Sequence, residues 1–239
     1  MDPVEQVERF RAQLAAEGSA ERAAQTRAYL KSGDRFYGVP VPAVRAMARA
    51  FKQENPRLGR SAVVALVETL FCTDEHELRL LAIALLESYR RVLEPDDMDR
   101  VESLLRQCQT WDLVDWLATA VSAWLVERYP ALQERLARWA QDPSFWLRRA
   151  ALLSLLEPLR KGRGDFALFA QLAVPMLGEK EFFIRKAIGW VLRDVSRKRP
   201  ELTHAFLLEH IRAVSPLTLR EGARQLPESL REELLRARG

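Results

Sequence analysis

The sequence has few of the residues that form disulfides or bind metal ions. Its 239 residues include two cysteines, Cys72 and Cys108, and three histidines, His76, His204 and His210. So few cysteines predict a reducing, cytosolic setting without a disulfide framework. Cys72 and His76 are four residues apart, but two ligands do not make a zinc site, so we expect neither a metal nor another cofactor.

Long apolar runs and a leader segment are also missing. No apolar run reaches the length of about 20 residues that a membrane-spanning helix requires. The first residues, Met-Asp-Pro-Val-Glu, lack the basic and apolar regions of a signal peptide. With 48% hydrophobic and 29% charged residues, the composition is typical of a soluble globular protein. We therefore expect a cytoplasmic protein without membrane contact.

Charge of either sign is nearly balanced over the chain, with a formal net charge of +4, but it is unevenly distributed. The segment from Phe145 to Pro200 contains twelve Lys or Arg and five Asp or Glu, a balance of +7, so the remaining residues sum to −3. A basic segment of this kind is typical of proteins that bind a polyanion, nucleic acid first. Because the chain has 31 Arg and 6 Lys, these residues could equally be solvated helix faces. Charge alone does not decide between the two.

Alternating apolar and polar positions typical of strands are absent, whereas helical periodicity runs from end to end and is interrupted at short Gly or Pro breaks. Four segments align on Leu78, Leu113, Leu147 and Ile184, at steps of 35, 34 and 37 residues. Such a period predicts an all-α fold, an α-solenoid of about six HEAT-like helix pairs with a concave basic face. We expect one domain over residues 1–239, with atypical capping helices at about 1–30 and 212–239.

Two tryptophans and two aspartates occur within six residues, at Trp111, Asp112, Asp115 and Trp116. Trp111 and Asp115 are four residues apart and therefore share one face of a helix. Asp112 is expected to cap the first helical turn, and Trp116 to lie in the core. Packing alone does not account for Trp111 and Asp115, because helices pack mainly through Leu, Ala and Val.

The position two residues after each anchor holds Leu80, Asp115, Arg149 and Lys186 in successive repeats. Equivalent helices of a solenoid stack side by side, so equivalent positions line up along one face. We therefore expect Trp111, Asp115, Arg149 and Trp190 to converge. Trp124 and Trp139 are expected in the core, as a lone tryptophan usually is.

Four segments carry a likeness to a known family: Trp111-Asp112-x-x-Asp115, Trp146-Leu147-Arg148-Arg149, the run from Glu181 to Arg193 with its Lys-Ala-Ile-Gly-Trp core, and Phe36-Tyr37-Gly38-Val39 with Pro42. Together they resemble the AlkD family of DNA alkylation-repair glycosylases, over roughly Tyr29 to Pro200. Members often carry a second aromatic residue just before the motif tryptophan, where this chain has Thr110. The Phe36–Pro42 segment, by itself, reads as an ordered loop that either joins two helices or contacts a ligand.

The resemblance implies a monofunctional hydrolase that cuts the N-glycosidic bond of N3- or N7-alkylated purines in duplex DNA, without flipping the base into a pocket. It implies that Asp115 is the catalytic carboxylate and that Trp111 and Trp190 hold the lesion's sugar and backbone. It also implies that Arg148 or Arg149 contacts phosphate, and the repeat register favours Arg149. Further candidates for DNA contact are Lys186, Arg193 and Tyr37. We expect a monomer that associates with the bacterial nucleoid when bound to DNA.

The predicted chemistry suits these residue types. A cationic alkylated purine leaves as a neutral base, and the positive charge moves to the sugar, where a fixed carboxylate stabilises it and indole faces add cation–π attraction. Two alternatives remain open. One is a DNA-binding relative without catalysis, and the other is a protein-interaction scaffold, a common use of HEAT-like repeats.

Overall fold

Helices make up most of the computed structural model, which describes residues 2–239. Within those residues, β-structure is limited to one isolated bridge between Arg35 and Glu75. None of the helices in this part of the chain is long and apolar enough to cross a membrane. The predicted all-α class, built from packed helices, is confirmed.

The chain forms two compact units, one ending at Leu117 and the other running from Ala118 to Gly239. The prediction of one continuous domain, like that of a concave basic face, stays a prediction. In the first unit the helices are α1 (Pro3–Glu17), α2 (Ala20–Leu30), α3 (Val41–Glu54), α4 (Arg60–Phe71), α5 (His76–Tyr89), α6 (Asp97–Gln107) and α7 (Trp111–Trp116). In the second they are α8 (Ala123–Arg128), α9 (Gln133–Trp139), α10 (Phe145–Leu153), α11 (Leu156–Arg160), α12 (Phe166–Ala173), α13 (Phe182–Ser196), α14 (Pro200–Glu209), α15 (Pro216–Gly222) and α16 (Glu228–Arg238).

Shorter segments complete the helical structure. Leu117–Ser122 is π-helical and joins the end of α7 to the start of α8, so helical structure continues through this segment. The 3₁₀ segments are Arg90–Val92, Pro130–Leu132, Val174–Met176 and Ala223–Gln225.

Helix α5 is central to the first unit, where it packs against α3 and α4 and also contacts α1 and α7. It is buried on nearly every side, as expected for a helix whose sequence is apolar all round. Helix α3 begins at Val41, and Pro42 fits its first turn, where the missing N–H is not needed.

Helix α13 has the corresponding place in the second unit, packed against α10, α11, α14 and α15. Gly189 lies at its contact with α15, where an added Cβ would come within 2.6 Å of Glu221 Cβ. The glycine of the Lys-Ala-Ile-Gly-Trp run is therefore required by close helix packing. Trp139 is buried, as predicted, whereas Trp124 is only half-buried.

The four repeat anchors occupy equivalent places. Leu78, Leu113, Leu147 and Ile184 are each the third residue of their helix, and all four are completely buried. The position two residues further on is consequently the fifth in each helix. Leu80, Asp115 and Arg149 are buried at this position, whereas Lys186 is half-buried.

Candidate functional site

Helix α7 presents Trp111 in its first turn and Asp115 one turn later. Trp111 is half-buried, and Asp115 is buried with 8% of its surface exposed. Tyr29 of α2, which is 72% exposed, contacts Trp111 edge to face, with ring centroids 6.0 Å apart and planes at 88°. A second aromatic ring therefore lies beside Trp111, although Thr110 is not aromatic. Sequence reasoning missed Tyr29, and its only signal is one aromatic residue on a helix made mainly of alanine and polar residues.

The start of α7 is fixed by an ion-pair network in which His76 and Asp34 are buried and Asp112 is half-buried. The carboxylate of Asp112 accepts hydrogen bonds from the Leu113 N–H at 3.0 Å and from His76 Nε2 at 2.8 Å. The other ring nitrogen of His76, Nδ1, lies 3.5 Å from Asp34 Oδ2. Asp112 thus satisfies a backbone donor of the first turn, as predicted, and also links α7 to α5.

Burial and pairing act in opposite directions on this network. Burial disfavours the imidazolium of His76, but the carboxylates of Asp112 and Asp34 outweigh it and raise the pKa of His76 to about 9. Burial likewise disfavours the charged form of Asp112, yet its hydrogen bond with His76 holds the pKa of that carboxyl below its ordinary value. At neutral pH the pair is therefore ionised.

The loop that carries Tyr37 is held by two buried carboxylates of the α5 region. Glu77 accepts hydrogen bonds from the backbone N–H groups of Tyr37, Gly38 and Val39, at 3.0, 2.7 and 3.2 Å. Gly38 has φ +76°, and an added Cβ would lie 2.2 Å from Ser19 O, so only glycine fits there. The motif therefore fixes an ordered loop against α2.

The hydroxyl of Tyr37 donates to the buried carboxylate of Glu75, which also pairs with Arg11. Burial and this hydrogen bond raise the pKa of Tyr37 to about 12. Tyr37 is half-buried, and its donor is already used. The prediction that Tyr37 contacts DNA stays a prediction, and the structure adds a role in holding the loop.

Trp116 ends α7 in the core, as predicted, with 7% of its surface exposed. Its indole N–H donates to Glu87 Oε2 at 2.8 Å, and the guanidinium of Arg45 lies 4.1 Å from its ring centroid. The residue next to Asp115 is thereby bound to α5 and α3. Both ends of this short helix are fixed.

In the second unit, the two candidate arginines of α10 have different surroundings. Arg148 forms a two-point ion pair with Glu179, at 3.0 and 2.9 Å, and donates to the carbonyls of Asp142 and Pro143. Arg149 is buried, with 3% of its surface exposed, and donates to Phe183 O at 2.5 Å. Arg148 therefore stabilises the start of α10, and phosphate contact by either arginine stays a prediction.

The remaining candidates lie along α13. Lys186 and Arg193 both bind Glu221 of α15, at 2.7 and 3.0 Å, and Lys186 in particular lowers the pKa of that carboxyl. The half-buried Trp190 donates from its indole N–H to Asp194 Oδ2 at 3.2 Å. Glu221 lies in the C-terminal segment to which sequence reasoning gave no function. Its contacts tie that segment to the predicted DNA-binding residues.

The predicted site residues are divided between the two units: Trp111, Asp115 and Tyr37 lie in the first, and Arg148, Arg149, Lys186, Trp190 and Arg193 lie in the second. The convergence of the two sets stays a prediction. Residues 2–239 contain no cluster of three His, Cys, Asp or Glu side chains that could hold a metal ion.

A family model described as DNA alkylation repair enzyme matches residues 10–226, which is most of the chain. The chain belongs to this family. The resemblance to alkylation-repair proteins is thereby confirmed, and the family's name gives the chain a place in the repair of alkylated DNA. A comparison with curated proteins gives no match.

Solved structures show the same fold. A predicted DNA alkylation repair enzyme from Enterococcus faecalis shares 26% identity at a TM-score of 0.78, covering 89% of this chain and 98% of its own. Two proteins of Streptococcus mutans also share the fold. AlkD2 has 15% identity and a TM-score of 0.61, covering 86% of this chain and 98% of its own. The protein smu.31 has 14% identity and a TM-score of 0.53, covering 83% of this chain and 97% of its own.

Proposed function

We propose that this family member is a monofunctional DNA glycosylase that hydrolyses the N-glycosidic bond of N3- or N7-alkylated purines in duplex DNA. The observation that carries the proposal is the placement of Asp115 on α7, one turn after Trp111 and its exposed partner Tyr29. The helix is fixed at its start by Asp112 and His76 and at its end by Trp116. A carboxylate held in this way needs little rearrangement during a reaction.

The chemistry follows from the charge of the lesion. The bond between C1′ and the purine nitrogen breaks, the electron pair leaves with the base, and the cationic base departs neutral. The sugar becomes an oxocarbenium ion, which the carboxylate of Asp115 stabilises electrostatically. A water oxygen then bonds to C1′, and its proton passes to Asp115 or to solvent.

Burial of Asp115 strengthens this electrostatic effect. A charge largely removed from water interacts more strongly with a nearby opposite charge, because less solvent screens it. Trp111 lies one turn before this carboxylate on α7, and its ring and that of Tyr29 are proposed to attract a cationic sugar, worth about 0.5–2 kcal/mol each. Trp190 is proposed to supply a further face, and Arg149 a phosphate contact. The base is proposed to stay outside any enclosing pocket, so bulky adducts should be released as well as methyl groups.

The test is release of 7-methylguanine from methylated duplex DNA. Asp115→Asn should abolish release and leave duplex binding intact, because it removes the charge with little change in shape. Asp96→Asn, at an exposed aspartate before α6, is the matched control and should behave as wild type. Unchanged release by the Asp115→Asn protein would remove Asp115 from catalysis.

A DNA-binding protein without catalysis is the second candidate, and the observation in its favour is the burial of Asp115. It predicts duplex binding by the wild-type protein with no freed base. The same assay therefore separates the two candidates.

A further inference from the structure

A second group of cations lies in the first unit, away from the segment that the sequence marks as basic. A cleft of about 370 Å³ opens between α3 and the end of α5. Its charged lining consists of Arg45, Arg49 and Lys52 of α3, Arg90 and Arg91 after α5, and Glu87. Five positive side chains against one negative leave a local balance of +4, as large as the formal net charge of the whole chain.

Two of the five cations have partners within the protein. Arg45 pairs with Glu87 at 3.2 Å, and Lys52 donates to the backbone carbonyl of Ser88. Arg49, Arg90 and Arg91 are exposed, and none of them has a side-chain hydrogen bond or ion pair among the described residues. Three uncompensated guanidinium groups around one cleft repel each other, and an anionic ligand would relieve that repulsion.

The cleft is connected to the helix of the proposed active site. Arg45 stacks on Trp116 at 4.1 Å, and Trp116 donates to Glu87, so the single carboxylate of the cleft is already hydrogen-bonded. Trp116 directly follows Asp115. A ligand bound in the cleft is therefore positioned relative to α7 through side-chain contacts of one compact unit.

We propose that this cleft, lined by Arg49, Arg90 and Arg91, binds the sugar–phosphate backbone of the DNA that carries the lesion. The nature of the ligand rests on the function proposed above. Guanidinium forks match phosphate oxygens and hold a duplex in register without reading its sequence. Three such groups, with Arg45 and Lys52 in the same lining, suit two neighbouring phosphates better than one isolated anion.

The test is the salt dependence of duplex binding by a triple variant, Arg49→Gln, Arg90→Gln and Arg91→Gln. The matched control removes the same charge at three exposed arginines outside the cleft, Arg57→Gln, Arg231→Gln and Arg236→Gln. Binding to an undamaged duplex is measured by fluorescence anisotropy at several salt concentrations, and thermal melting shows whether each variant is folded.

Loss of two phosphate contacts should reduce the slope of log affinity against log salt by about 1.8, at about 0.9 per phosphate. Affinities that converge at 1 M salt then differ by about 60-fold at about 0.1 M. The control should keep the wild-type slope. In base release, the triple variant should lose kcat/KM and keep its rate at saturating DNA, because these residues bind without touching the reacting atoms.

Equal slopes for the triple variant and the control would overturn the proposal. The proposal would also be overturned if the triple variant lost binding of inorganic pyrophosphate while its slope for duplex binding stayed unchanged. The ligand of the cleft would then be a small anion. If the slope of the triple variant is reduced but the wild-type protein releases no base, the result supports DNA binding by the cleft and rejects the glycosylase function. If the wild-type protein releases base but the slope of the triple variant is unchanged, the result supports the glycosylase function and rejects DNA binding by the cleft.

Discussion

The pair of His76 and Asp112 gives a prediction that combines stability with pH. His76 is buried between Asp112 and Asp34, with Glu77 and Arg79 among the nearby charged groups. A rise of its pKa from 6.5 to about 9 corresponds to about 3 kcal/mol of folding stability. Because the folded pKa is the higher one, this contribution is fully present below pH 6.5 and is lost as the pH rises through about 9.

Asp112 behaves in the opposite sense. Its pKa is lowered in the folded state, so its contribution is present above the ordinary aspartate value of 3.8 and is lost as the pH falls through the lowered pKa. The ion pair therefore stabilises the start of α7 most strongly between mildly acidic and neutral pH. Trp111 and Asp115 depend on that helix for their positions.

The perturbation is His76→Gln, with His210→Gln as the control for loss of a histidine in the second unit. Urea unfolding of the three proteins is compared from pH 6 to pH 10, a range of about four units around the raised pKa. Between pH 6 and pH 9, wild type and control should lose stability through His76, by at most about 1.4 kcal/mol per unit, whereas His76→Gln should be less stable at pH 6 and should change much less over the same range. Parallel curves for wild type and His76→Gln would refute the reasoning.

Two further predictions concern the second unit. Gly189→Ala places a methyl group 2.6 Å from Glu221 Cβ and should lower the free energy of unfolding by about 1–3 kcal/mol. Chemical denaturation measures this change. Unchanged stability would mean that α15 moves aside freely. Arg149→Gln removes the donor to Phe183 O and should lower the free energy of unfolding by about 1–3 kcal/mol. If Arg149 also binds phosphate, the slope of log affinity against log salt for duplex binding should fall by about 0.9. An unaltered slope would leave Arg149 with a structural role alone.

The fold class and the local pairings of the site follow from sequence alone, because they depend on short-range periodicity. Gly and Pro breaks delimit the helices, and the 3.6-residue period places Trp111 and Asp115 on one face. The spacing of the repeats finds Leu78, Leu113, Leu147 and Ile184, which are buried at the same place in their helices. Each of these predictions needs only residues within a few turns of one another.

The location of uncompensated charge in the folded protein, by contrast, could not be predicted by counting charged residues along segments of the sequence. The segment from Phe145 to Pro200 carries the excess of positive residues, but Arg148 is bound to Glu179 there, and Lys186 and Arg193 are bound to Glu221 beyond its end. The uncompensated guanidiniums of the α3–α5 cleft belong to the part of the sequence whose charges sum to −3. A count along the chain does not show which opposite charges become neighbours.

The helices, their breaks, the family motifs and the chemistry available to a carboxylate one helical turn from an indole can all be inferred from the order of the amino acids. Tertiary structure alone decided that Tyr29 lies against Trp111, that Glu77 holds the loop of Gly38, and that Arg49 and Arg91 share a cleft. The physical reason is the same in each case. Helix formation depends on nearby residues, whereas these contacts join residues about 40 to 80 positions apart and exist only once particular helices have packed together.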